Sequence, residues 1–286
     1  MAFNEHLSVL PQYLLPHHGL SRACRLLSHC DNKLVKNFLI QQFISLYQVN
    51  MAEALNTDIN SYQTFNEFFT RALKPDCRPV ANDKHGLVSP ADGLVSQARR
   101  ITEGCLVQAK GFAYTTQELL GGDAVLAETF NNGLYTTIYL SPKDYHRLHM
   151  PITGTLREMI HVPGRLFSVN TATANNVPGL YARNERVCCI FDTEFGRMAL
   201  VLVGAMIVNS IETVWHGVVT PPTRSTVQHF DYANEEHRLE KGQEFGRFNM
   251  GSTIIMLLAD DNKASWDEEF QPGSSVKQGE NIGRSN

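Results

Sequence analysis

The chain has 286 residues, enough for about two domains at roughly 150 residues each. Its 43% hydrophobic content excludes a disordered chain, and 12 Pro and 20 Gly exclude collagen-like or low-complexity architecture. A net charge of −4 and a sequence pI near 6.3 argue against a globally basic nucleic-acid binder, so any attraction to an anionic surface has to be local.

The N-terminal stretch has no basic n-region and no small-residue cleavage site, and Glu5 without early arginines does not fit a mitochondrial transit peptide. Residues 1–74 read as helical. Leu7, Leu10 and Leu14 keep helical spacing, although Pro11 and Pro16 interrupt it. Residues 21–30 form a short amphipathic piece. The clearest pattern covers 32–49, where Asn32 is placed to cap the helix. Val35, Phe38, Leu39, Phe43, Ile44, Leu46 and Tyr47 make a wide apolar stripe, with Lys33, Asn37, Gln41 and Gln48 opposite. Between His17 and Lys36, Arg22, Arg25, Lys33 and Lys36 stand against Asp31, a local +3. Such a region either lies on a membrane surface or packs on its own protein, and periodicity alone favours the second. A further helix is expected over 62–73, carrying Phe65, Phe68 and Phe69.

From about residue 86 the pattern changes to short apolar runs broken by Gly, Asn, Asp and Pro, as at 133–140, 187–191, 198–203 and 253–258. The expected fold class is α+β: an amphipathic helical region (1–74), then a mostly antiparallel β catalytic domain (75–286). The longest charge-free apolar run, 198–211, has 14 residues where a spanning helix needs about 20. Cys24, Cys30, Cys77, Cys105, Cys188 and Cys189 form no C-x-x-C and read as reduced thiols, with the side chains of the adjacent pair on opposite faces of a strand. The polar tail from about 265 reads as loose.

Three places combine reactive side chains with permissive backbone. In Ser89-Pro90-Ala91-Asp92-Gly93, Pro and Gly flank a carboxylate in a turn. In Tyr145-His146-Arg147-Leu148-His149-Met150-Pro151, two histidines three apart would share one side of a helical turn, as an acid/base pair, a metal pair or surface groups. Zinc would need a further ligand from Asp92, His161, His216 or His229. The third place is Gly251-Ser252-Thr253, a turn opening a strand; it matches neither a nucleophile elbow nor a phosphate loop.

Taken together and in order, these pieces resemble the phosphatidylserine decarboxylase family. The resemblance also covers Phe65-Asn66-Glu67-Phe68-Phe69-Thr70-Arg71 and Gly164-Arg165-Leu166-Phe167-Ser168-Val169-Asn170, nearly the whole chain. Met250 stands where the family's bacterial pattern has Leu, a swap of similar volume. The resemblance implies a pyruvoyl-dependent, membrane-associated proenzyme that converts phosphatidylserine to phosphatidylethanolamine and carbon dioxide. It implies self-cleavage between Gly251 and Ser252 into a large chain (1–251) and a small chain (252–286) that stay associated. Ser252 would become the pyruvoyl cofactor and Schiff-base site. His149 would take the Ser252 proton with Asp92 orienting its ring, and His146 is the candidate proton donor in decarboxylation. No metal is implied. Residues 1–74 would meet an anionic membrane surface, placing the enzyme peripherally on the cytoplasmic side of the cell membrane, with a higher oligomer compatible. Outside the resemblance, two readings stay open: a zinc hydrolase using Asp92, His146 and His149, and a non-catalytic lipid-binding β domain. In the segment 164–170, Arg165, Phe167, Ser168 and Asn170 are expected to line the site.

Overall fold

The computed structural model describes residue 9 and residues 11–206, 210–220, 225–250, 252–259 and 264–285. Leu7 and Leu10 of the first expected helix lie outside the described residues; residues 11–14 are helical. Helices α1 (His17–Ser28), α2 (Lys33–Tyr47) and α3 (Phe65–Phe69) follow. Asn32 caps α2, its side chain accepting from the N–H groups of Leu34 and Val35. Thr64 caps α3 through the Glu67 N–H. Helix α3 is shorter than the expected 62–73 because the chain beyond Thr70 turns extended, and Leu73 bridges to Ala54. Four further short helices are α4 (Thr116–Leu119), α5 (Ala124–Glu128), α6 (Thr171–Ala174) and α7 (Leu180–Arg183).

The apolar stripe of α2 divides: Leu39, Phe43 and Ile44 pack against an inner cluster, while Val35, Phe38, Leu46 and Tyr47 are exposed. Leu34 is 83% exposed, whereas Lys36 is only 3% exposed. The Lys36 ammonium donates to the backbone carbonyls of Ile59 (2.9 Å) and Tyr62 (2.7 Å), which fixes the helix with its charged stem inward. In α1 the same inversion holds: His17, Ser21 and Ser28 are buried while Leu26 and Leu27 face out. A smaller part of the arm packs normally, where Ile40, Phe65, Phe68 and Phe69 form a cluster with Phe43 at its edge.

The strands are β1 (Gly86–Val88), β2 (Gly93–Arg100), β3 (Cys105–Ala109), β4 (Phe112–Thr115), β5 (Leu134–Leu140), β6 (Arg147–His149), β7 (Gly154–Val162), β8 (Arg186–Thr193) and β9 (Gly196–Val203). They continue as β10 (Ser210–Thr213), β11 (Gly217–Val218), β12 (Gln228–Asp231), β13 (Arg238–Leu239), β14 (Glu244–Asn249), β15 (Ser252–Leu258), β16 (Ala264–Trp266), β17 (Ser275–Val276) and β18 (Asn281–Ser285). The main sheet runs β12-β7-β8-β9-β15-β5-β2-β17, with β13 also on β7. A second sheet runs β11-β10-β14-β6, and a third β1-β18-β16; every pairing among these is antiparallel. The α+β class expected from sequence is the class observed.

Both faces of the main sheet are covered. Along β15, Ile254, Met256 and Leu258 enter one apolar cluster, and Ile255 and Leu257 enter another. Cys188 and Cys189 divide between the same two clusters, as alternation on a strand requires. The tail is not loose. Strand β18 pairs with β1 and β16, and β17 pairs with β2, so the last twenty residues find their partners near residue 90.

The buried lysine yields a stability test. Lys36→Ala leaves two inward carbonyls without a donor and should cost about 1–3 kcal/mol in urea unfolding. Leu34→Ala, two residues away but exposed, should change stability by under about 0.5 kcal/mol.

Candidate active site

Two chain segments cross between sheets side by side. The first leaves β5 at Leu140 and enters β6 at Arg147; the second leaves β14 at Asn249 and enters β15 at Ser252. Leu140 is paired with Ser252 in the main sheet, and Arg147 with Arg247 in the second sheet. The loop carrying Asp144, Tyr145 and His146 therefore spans the same gap as Met250 and Gly251. Gly251 itself lies outside the described residues.

Ser252 opens its strand, as expected for Gly-Ser-Thr. By strand alternation its side chain shares the face of Ile254 and Met256. Leu148, Phe245 and Phe248 of the second sheet belong to that same cluster, so Ser252 points into the layer between the two sheets. It is fully buried, and its Oγ has no hydrogen-bond partner among the described residues. A buried hydroxyl without a partner costs free energy.

The histidines do not share a helical turn. His149 lies on β6 and His146 just before it, because this segment is taken up by pairing with β14. His146 is fully buried, with its ring 4.1 Å from the Phe69 ring. Its Nδ1 donates to the Asp144 carbonyl at 2.8 Å, and its Nε2 has no partner among the described residues. Burial pushes its pKa down to about 3 against the smaller opposing effect of that hydrogen bond, so the ring is neutral and Nε2 is a bare lone pair. The ring is thus neutral in this arrangement, and the proton-donor role expected of it needs a charged ring.

His149 has both nitrogens engaged. Nδ1 donates to the Gly242 carbonyl at 2.8 Å, and a carbonyl can only accept, which sets the tautomer. Nε2 then accepts from the Tyr145 hydroxyl at 3.1 Å. Burial lowers the His149 pKa, partly offset by the Gly242 carbonyl and by Glu244. Burial also pushes the Tyr145 phenol up to about 12, so it stays a donor.

Asp92 is buried at the bend before β2, as expected, but its carboxylate does not bond His149. It is gripped by Arg78, whose Nε donates at 2.8 and 3.0 Å to the two oxygens and whose Nη2 donates at 2.5 Å. The Gln278 N–H donates to the same carboxylate at 2.9 Å. Arg78 Nη2 also reaches Glu53 at 2.8 Å. Burial opposes the Arg78 charge, but Asp92 and Glu53 outweigh it and raise its pKa. The expected Asp92–His149 orientation is therefore replaced here by Asp92–Arg78 and His149–Gly242 contacts. A bidentate guanidinium is the stronger partner for a buried carboxylate.

A cavity of about 490 Å³ opens beside these groups, lined by Arg71, Arg78, Asp92, Lys143, Asp144 and Tyr145 among others. Sequence reasoning missed Arg78, Glu53 and Tyr145. Arg78 was visible only as the residue before Pro79, and Tyr145 only as part of the histidine motif. The segment 164–170 meets the N-terminal region instead of Ser252: the Leu166 N–H bonds His17, the Ser168 N–H bonds Gln12, and Phe167 stacks with Tyr13 and His17. Asn170 caps α6. Among the described residues, no three His, Cys, Asp or Glu side chains converge to hold a metal. His161 pairs with Glu185, His216 with Tyr232 and His229 with Glu158, so the zinc reading has no ligand set.

A family profile described as phosphatidylserine decarboxylase matches residues 65–284, and one described as PSD matches residues 7–48. Among curated proteins, the chain is similar to the phosphatidylserine decarboxylase proenzyme of Pseudomonas fluorescens, 54% identical over 281 residues (98% of this chain, 97% of that one). The proenzyme of Pseudomonas entomophila is 55% identical over 276 residues (96% of each chain), and that of Azotobacter vinelandii is 53% identical over 283 residues (98% of each).

The burial of His146 has a measurable consequence. Its pKa is held at about 3 in the folded chain against 6.5 ordinarily, so the unfolded chain takes up a proton that the folded chain refuses. The stability this neutral ring contributes is complete above its ordinary pKa and falls as pH drops, by up to ~1.4 kcal/mol per pH unit. Urea unfolding of Ser252→Ala protein between about pH 7 and pH 5 should show that loss, and His146→Gln should flatten it.

Proposed function

Because the chain belongs to the phosphatidylserine decarboxylase family, it is a proenzyme that decarboxylates phosphatidylserine to phosphatidylethanolamine, and we propose that Ser252 carries that chemistry. The observation that supports this most is the buried Ser252 Oγ, unpartnered among the described residues, at the start of a strand. The cleavage lies between Gly251 and Ser252. Ser252 Oγ attacks the Gly251 carbonyl carbon, the amide C–N bond breaks, and the hydroxyl proton passes to the freed Ser252 amine. The product is an ester on Ser252. Elimination of the Gly251 carboxylate leaves dehydroalanine at 252, and water replaces its nitrogen, which departs as ammonia. The residue fits the group it becomes: Ser252 has no competing hydrogen bond to break among the described residues, and its strand is pinned on both sides.

His149 takes the Ser252 proton in this reading. The Gly242 carbonyl fixes its tautomer and Tyr145 occupies the accepting nitrogen, so the phenol has to yield that place to Ser252. Asp92, held by Arg78, supplies negative charge on the same side. When formed, the pyruvoyl group supplies an electrophilic carbonyl that draws electrons from the substrate's α-carbon as carbon dioxide leaves. His146 delivers the proton that replaces the carboxyl group. A negative charge from the lipid headgroup beside this buried ring favours its protonated form, and a well-placed acid is worth ~10²–10⁴-fold in rate.

Residues 1–74 serve as a membrane-facing arm and 75–286 as the catalytic part. No described helix is long and apolar enough to cross a membrane. The outward leucines and phenylalanine of α1 and α2, with Arg22, Arg25 and Lys33 exposed among them, suit a helix pair lying in an anionic lipid interface on the cytoplasmic side of the cell membrane. Lys36, counted with them in sequence, points inward.

Intact mass of purified protein should give chains 1–251 and 252–286, the second with a blocked N-terminus. Ser252→Ala should leave one chain with no release of carbon dioxide from phosphatidylserine; two chains in that variant would falsify the assignment. For the arm, Leu26→Glu with Leu34→Glu should weaken binding to anionic phospholipid vesicles by about tenfold or more while processing continues.

A further inference from the structure

Met250 precedes the proposed cleavage site by one residue, and its φ of 89° lies in the left-handed region. A side chain there is strained, and such strain persists only where the surroundings over-determine it. The surroundings are the helical arm. The Met250 side chain packs on the cluster of Ile40, Phe65, Phe68 and Phe69 and borders an apolar cavity of about 420 Å³ shared with Leu27, Leu39 and Phe43. Asn249 is clamped independently: its Oδ1 accepts from Asn66 of α3 at 3.0 Å, and its Nδ2 donates to Ser210 Oγ at 2.7 Å. On the other side Ser252 is already paired with Leu140 in the main sheet. The backbone therefore has Met250 and Gly251 in which to turn from one sheet to the next, with both ends fixed.

The geometry points to Met250 as a positioning residue for self-cleavage: the arm grips its side chain and thereby fixes the backbone that leads into the proposed cleavage site. This rests on the cleavage assignment above and adds to it that processing depends on the docked arm. The reaction is the N-to-O acyl shift alone. The Ser252 Oγ–Gly251 carbon bond forms, the Gly251–Ser252 amide bond breaks, and the hydroxyl proton passes through the base to the new amine, with nothing else consumed. Two requirements on residue 250 follow: an apolar reach into the cluster, and a side chain unbranched at Cβ, so that positive φ is tolerated. Leu meets both. Ile has the volume of Leu but is branched at Cβ, which disfavours that backbone region. Ala lacks the reach.

The experiment follows the full-length chain after cell-free synthesis, reading cleaved fraction against time by denaturing electrophoresis, with Ser252→Ala and wild type as controls. Met250→Leu should process within about threefold of wild type, and Met250→Ala and Met250→Ile about tenfold or more slower, with the pH at half-maximal rate unchanged in all of them. The same substitutions in the Ser252→Ala background should melt cooperatively, which separates loss of position from loss of fold. Should Met250→Ala not fold, Asn66→Ala tests the second clamp with the same expected slowing. Equal rates for the Ile and Leu variants, or a wild-type rate in folded Met250→Ala, would overturn the inference. A wild-type chain that stays whole, or cleavage in Ser252→Ala, would instead overturn the cleavage assignment and leave the arm's grip on Met250 as a packing feature.

Discussion

Strand β15 is hydrogen-bonded along its length to β5 on one side and β9 on the other, and the chain reaches it from a different sheet. Few residues are available for that crossing, and Ser252, the serine proposed to react, is the first one past it. The rest of the site follows from this constraint. The neighbouring crossing from β5 to β6 has to run alongside, because its two ends are paired with the same two strands. That carries the segment holding the histidine motif alongside the chain that leads to Ser252, without any sequence proximity between them. The layer between the sheets is apolar, so the groups caught in it are desolvated, and the histidine pKa values fall as a result.

The carboxylate expected to steer His149 has another partner in this structure. Arg78 links Asp92 to Glu53, a residue of the helical region, and the Arg147 guanidinium donates to the Thr70 carbonyl. The arm is thus joined to the β part by buried ionic and hydrogen-bonded contacts as well as by aromatic packing. Breaking one member of such a network leaves an uncompensated charge, so the arm's position and the site's electrostatics are not independent.

The strands, and Ser252 as a strand opener, were legible in the sequence, because alternation and β-branched runs are local signals. The arrangement of Cys188 and Cys189 on opposite faces followed from the same rule. What was not legible depended on distant partners. Nothing near Lys36 announces that carbonyls of Ile59 and Tyr62 will take its ammonium, so the helix was read with its apolar stripe inward. A stripe shows which side is apolar but not what covers it. The histidine pair was read as helical because spacing of three fits a turn, while β14, about a hundred residues on, draws the segment into a strand. The tail looked loose because its partners lie near residue 90. Asp92 was placed correctly in its bend, but its grip by Arg78 needed the fold.

The strand order gives the proposed cut before Ser252 a further meaning. Residues 252–286 carry β15 in the interior of the main sheet, together with β16, β17 and β18. Before the cut, these strands find their places as one end of a single tethered chain, at the high effective concentration a covalent link provides. Afterwards the same strands belong to a separate polypeptide, and a lost small chain would have to return by collision and reinsert between β5 and β9, whose exposed edges would meanwhile seek each other or other chains. The precursor therefore acts as its own template for a structure that its products have no comparable route to rebuild. The enzyme's lifetime is then set by how rarely the sheet opens, a matter of unfolding rate more than of equilibrium stability.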